Sequence, residues 1–145
     1  MKKIKKVIKY LCFDKNRGLY YRAVVYSGFF RLLILVVPIK HIKKHIGVSG
    51  EESDWEIDEQ YYPYVKSVAR VTNTVCSHTW WKSLCLVRAL TAQRLLKVKK
   101  ISSTLYLGCK KEGDTLVAHA WIRCGPKYVS GGSGQDYAMV AKFRS

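Results

Sequence analysis

The chain predicts an α+β fold in which helices come first and a small antiparallel sheet comes last. Apolar residues recur at helical spacing up to about Lys99, and beyond it the period falls to two. A length of 145 residues, 48% of them hydrophobic, suffices for one hydrophobic core and argues against two independent ones.

The elements follow in order. The start MKKIKKVIKYLCFDKNRG is charged, its apolar run is broken by Lys9 and ends at Asp14, and it has no small-residue cleavage site, so it reads as mature protein rather than a signal peptide. Over residues 19–37, Tyr21, Val25, Phe29, Leu32 and Val36 keep helical spacing, while Phe30, Leu33 and Leu35 make the segment apolar nearly all round. That pattern predicts a buried helix. Arg31 inside it and Pro38, Lys40, Lys43 and Lys44 after it argue against a transmembrane segment. His41 and His45 stand four apart in HIKKH, but no third ligand accompanies them, and a solvated basic face is expected.

Glu51, Glu52, Asp54, Glu56, Asp58 and Glu59 crowd into one stretch, which reads as a boundary. The expected division is a helical subdomain over 1–50, an acidic linker over 51–59 and a catalytic core over 60–145. Residues 61–76 suggest another helix, marked by Tyr61, Val65, Val68 and Val75, with Asn73 to His78 supplying a break before Trp80 and Trp81. LVRALTAQRLLK is a strong helix former, with Ser83 suited to cap it. Three strands then follow, around Leu105 to Cys109, Leu116 to Arg123 and Tyr137 to Phe143, joined by turns at 111–114 and at SGGSG.

With 26 Lys and Arg against 10 Asp and Glu, the formal charge of +16 favours a polyanion, an acidic membrane surface or an acidic peptide as partner. The basic residues are spread rather than gathered into a nucleic-acid motif, so no nucleic acid is expected. Five cysteines, Cys12, Cys76, Cys85, Cys109 and Cys124, are an odd number without tight pairs, which suits a reduced, cytoplasmic setting.

The chemistry is expected at Cys85 and His119. A cysteine in the first turn of a helix sits among unpaired N–H groups that stabilise its thiolate, the attacking form. His119, in the middle of VAHAWIRCG and flanked by alanines, is a residue that can take the thiol proton and return it to a leaving amine. A helix-start cysteine followed by a strand histidine, here 34 residues on, is the order of papain-like and transglutaminase-like enzymes. The Cys85 N–H, with the indole N–H of Trp80 or Trp81, would serve an oxyanion. No metal or other cofactor is needed.

The runs SLCLVRALTAQRLLK and STLYLGCKKEGDTLVAHAWIRCG, the Tyr-Val-Ser-Gly-Gly turn and the ending YAMVAKF resemble the leader peptidases of lasso-peptide biosynthesis. In that family the peptidase is the C-terminal part of the maturation B protein, or a separate small chain where that protein is split in two, and the 145 residues here fit the split form. The resemblance implies a transglutaminase-like cysteine peptidase core with a central Cys-bearing helix packed on the sheet and a helical N-terminal extension. It implies Cys85 as nucleophile, His119 as base, and removal of the leader from a ribosomally made precursor. A separate leader-binding recognition-element protein would deliver that leader, and an ATP-dependent cyclase would take the product. The family's third residue, an Asp after the histidine strand, meets Val129-Ser130-Gly131-Gly132 here, which leaves Asp136, Ser130 or a backbone carbonyl to orient the imidazole. Two alternatives stand beside this reading: a transglutaminase-like acyltransferase or deamidase, and a non-catalytic basic membrane- or nucleic-acid-binding module.

Overall fold

A computed structural model describes residues 2–145 of the chain; Met1, the first residue of the expected helical subdomain, lies outside them. Five helices, α1 (Lys2–Phe13), α2 (Arg17–Val36), α3 (Ile39–Ile46), α4 (Tyr62–His78) and α5 (Cys85–Val98), combine with five strands, β1 (Val48–Ser49), β2 (Thr104–Glu112), β3 (Thr115–Cys124), β4 (Lys127–Ser130) and β5 (Ala138–Arg144). The fold is α+β, as the change of period implies. All strand pairs are antiparallel, in the order β1-β5-β2-β3-β4.

Helix α5 is the centre. Val87, Ala89, Leu90, Ala92, Leu95 and Leu96 are buried around its circumference, because α2 and α4 cover it on one side and β3 on the other. From α4, Val65, Val68, Val71 and Val75 repeat at three and four residues and fill the same core. The sheet contributes Leu105, Ala120, Ile122, Val129 and Phe143 from one face. Ile42 and Ile46 of α3 belong to this core too, so the N-terminal helices share it.

Several expectations change. The break expected at 73–78 is continuous helix, ending only where Thr79 turns extended. The first residues of the expected Tyr-Val-Ser-Gly-Gly turn belong instead to strand β4 (Lys127–Ser130), and Val48–Ser49 adds β1 against β5. Ser83 does not cap α5; Leu84 precedes the helix without a side-chain cap. Strict alternation would put Tyr137, Met139, Ala141 and Phe143 on one face, but the register shifts between Leu107 and Gly108 and Met139 is left exposed.

The largest departure is α2. Only Tyr20, Ala23 and Ser27 are buried, while Tyr21, Val25, Phe29, Leu32, Leu35 and Val36 face outward. Tyr20, Ala23 and Ser27 fit against the core with Phe30, Leu33 and Ile34 half-buried beside them, and the exposed apolar residues lie on the opposite side. By length and composition α2 could cross a membrane.

The acidic segment lies along the other face of the sheet. The Ser53 N–H donates to Thr104 Oγ1 at 2.7 Å. Arg123, fully buried, donates to the carbonyls of Ser53 (2.8 Å), Asp54 (3.1 Å) and Gly125 (2.7 Å) and to the Tyr106 hydroxyl (3.0 Å). The Trp55 ring covers its guanidinium at 3.9 Å. Glu52 bridges Arg123 (3.4 Å) and Lys142 (3.0 Å), and these cations hold its carboxyl below the usual range, the Lys142 hydrogen bond contributing most. A buried guanidinium needs acceptors for all its donors; the acidic segment supplies the Ser53 and Asp54 carbonyls and the Glu52 carboxylate, and Gly125 and Tyr106 supply the rest.

Candidate active site

Cys85 is the first residue of α5, half-buried against the core, and Leu84 before it is extended. Its backbone N–H is therefore among those with no acceptor inside the helix, at the positive end of the helix dipole. Arg88, one turn on, holds the preceding loop by donating from Nε to the Ser83 carbonyl at 3.2 Å. Trp80 is 83% exposed, whereas Trp81 rests its ring on Gly28 of α2. Of the two indoles considered for the oxyanion, Trp81 is the one with a buried Nε1 and no partner among the described residues.

The other cysteines differ in setting. Cys76 and Cys124 are buried, and burial pushes both thiols up, that of Cys124 to about 11. Neither carries much thiolate at neutral pH.

His119 lies on β3 opposite Gly108 of β2. Alternation along β3 sends Ala120 and Ile122 into the α5 core and His119, Trp121 and Arg123 to the other face. The imidazole stacks on Tyr137 with centroids 4.6 Å apart and on Trp121 at 5.9 Å. Its Nε2 is 2.7 Å from the Gly131 carbonyl oxygen. A carbonyl only accepts, so Nε2 carries the proton in the neutral ring and Nδ1 is the basic nitrogen.

The Gly131 carbonyl therefore orients the imidazole, standing in the stretch where the resembled family has its Asp. Asp136 is exposed and makes no hydrogen bond to the ring, and neither does Ser130, which is buried. Gly131 is needed there: its φ is 80°, and a methyl group at that position would come within 2.5 Å of the Ala120 carbonyl oxygen. Gly108 has a matching role, because a side chain on it would meet the Trp121 ring at 2.8 Å.

The fold does not bring the two candidates together: α5, which begins at Cys85, packs on the Ala120 and Ile122 face of the sheet, whereas His119 stands on the opposite face with Trp121 and Tyr137. Strand β4 pairs only with residues 122–124 of β3, so His119 stands where that edge of the sheet is open apart from the Gly-rich loop. No hydrogen bond joins the Cys85 thiol to the imidazole in this structure. Among the described residues, no three His, Cys, Asp or Glu side chains are grouped to hold a metal ion.

Period-two alternation pairs His119 with Trp121, so that part of the stack follows from the sequence. Tyr137 and the Gly131 carbonyl do not, since a loop brings them in; the SGG run was the available signal.

Compared with family models, residues 31–144 match the one described as the transglutaminase-like superfamily. No curated protein and no solved structure matches the chain.

Proposed function

The chain belongs to the transglutaminase-like superfamily, and from that premise we propose that it is a cysteine peptidase removing the leader from a lasso-peptide precursor. The observation that carries the reading is the His119–Gly131 contact. It supports a tautomer with Nδ1 free to act as a base, and Cys85 heads the helix that packs on the other face of the same sheet.

In the proposed reaction the Cys85 thiol gives its proton to Nδ1 of His119, and the thiolate attacks the scissile carbonyl. The Cys85 N–H, with the Trp81 indole as second donor, receives the oxyanion. The imidazolium protonates the leaving amine, which is the N-terminus of the core peptide. Water, deprotonated by His119, then releases the leader from the thioester. The proton transfer requires the imidazole to reach the α5 side of the sheet in the substrate complex, because in this structure it stands on the opposite face. A recognition-element protein raises the local leader concentration, and an ATP-dependent cyclase takes the freed amine, all in the cytoplasm.

The test is mass spectrometry of a lasso precursor incubated with the chain and the recognition-element protein. Two products split at the leader boundary are expected, with none from Cys85→Ala or His119→Ala. A transamidated or deamidated product would move the assignment to an acyltransferase, and cleavage by Cys85→Ala would remove the nucleophile. Equal rates with and without the recognition protein would mean that this chain reads the leader unaided.

A further inference from the structure

The exposed side of α2 is unlike any other surface of the molecule. From Val25 onward every exposed residue of α2 is apolar, and Phe29, Leu32, Leu35 and Val36 are 56–79% accessible. Patches of this size on a folded chain mark a contact surface. The helix is the shared wall of two apolar hollows. One, of about 700 Å³, is formed with α3 and α5 and rimmed by His41, His45, Arg94 and Lys97. The other, about 320 Å³, is formed with α1 and the tryptophan loop, where Ile4, Ile8 and Trp80 are exposed beside it. The apolar surface thus runs across α2 from the α1 side to the α3 side.

Charge identifies the occupant. Residues 1–46 carry 12 Lys and Arg against one carboxylate, Asp14. That is a net +11 of the chain's +16 in under a third of its length. Exposed Lys5 and Lys9 lie on α1, Lys40 and Lys44 on α3. An apolar ridge between cationic flanks matches a surface that is apolar below and anionic at its boundary. A transmembrane pose is excluded because Tyr20, Ala23 and Ser27 on the other side of α2 are held in the protein core. We propose that this face docks the protein on an anionic lipid bilayer, with α2 lying in the plane of the interface. Phe29, Leu32, Leu35 and Val36 enter the acyl boundary and the lysines of α1 and α3 stay among the headgroups. Cations near such a surface and apolar side chains entering the acyl boundary both favour binding.

The experiment is co-sedimentation of the full chain with vesicles of phosphatidylcholine alone and with phosphatidylglycerol added. Binding is expected on the anionic vesicles only, falling as salt rises. Leu32→Glu with Val36→Glu, both exposed and so compatible with folding, should lower the bound fraction at least tenfold while leaving the circular dichroism spectrum unchanged. Tryptophan emission should shift to the blue on binding, and Trp80→Phe should reduce that shift. Failure of the wild-type chain to bind anionic vesicles would overturn the proposal, as would equal binding by the double variant. Loss of partner-stimulated cleavage in the double variant with vesicle binding intact would also overturn it, and would make the ridge a protein-docking site. Because vesicle binding is read without peptidase activity, its failure is separable from failure of the proposed reaction.

Discussion

Helices α2 and α5 pack against each other but dispose their residues in opposite ways. In α2, nearly every position from Phe29 to Val36 is apolar, yet Phe29, Leu32, Leu35 and Val36 face outward and its buried residues are Tyr20, Ala23 and Ser27. In α5, Arg88, Thr91, Gln93, Arg94 and Lys97 interrupt the apolar residues, yet eight positions are buried, among them Thr91 and Gln93. Thr91 is accommodated because its hydroxyl donates to the Val87 carbonyl at 2.7 Å. Apolar content therefore did not decide which helix forms the centre. Neighbours decided it: α5 is covered by two helices and the sheet, α2 on one side only. The proposals above give each a separate task, α5 carrying Cys85 at its first turn and α2 a docking surface.

The sharpest way to break this contrast is at the two ends of the reasoning about α5. Cys85→Ala is expected to lower precursor cleavage on the order of 10⁴-fold or more, measured by single-turnover mass spectrometry, with an unchanged urea midpoint. A loss of stability comparable to that of a core deletion would instead make Cys85 a packing residue.

Next comes packing itself. Leu95→Ala, at a fully buried position, should cost about 2–5 kcal/mol of unfolding free energy. Leu32→Ala on α2 should stay within about 0.5 kcal/mol. Chemical denaturation of both variants compares them directly, and equal losses would mean that the α2 ridge is covered in the free protein.

The sheet's outer face sharpens the comparison from another side. Glu52→Gln should cost about 1 kcal/mol at neutral pH, modest because Arg123 keeps its carbonyl acceptors. Since the folded state holds the Glu52 carboxyl below its ordinary value, its contribution is present above the unfolded carboxylate range, about 4.3. It is lost as pH falls through the lowered folded value. The gap between wild type and Glu52→Gln should therefore shrink in acid; a gap equal at pH 7 and pH 3 would contradict the assignment.

The smallest effect is expected at Asp136. Because the Gly131 carbonyl holds the imidazole, Asp136→Asn should change kcat/KM by less than about twofold. A fall of a hundredfold or more would restore Asp136 as the orienting acid.

What the sequence determined by itself is local. Helical spacing of Val65, Val68 and Val75 and the period of two in LVAHAWIRC depend on contacts within a few residues, and both elements form, the helix running on through the expected break to His78. Placing Cys85 at a helix start also needed only propensity, although the cap expected from Ser83 is absent. What the tertiary structure decided is everything that needs two distant segments. The acidic stretch could not be seen to close over Arg123, 70 residues away from Ser53, because the Ser53 and Asp54 acceptors are backbone carbonyls, which carry no residue signature. For the same reason the partner of His119 could not be read from side-chain types. The exposure of α2 was hidden too: a periodic apolar pattern states which residues can be buried, and only the arrangement of α1, α3, α4 and α5 around it determines which of them are.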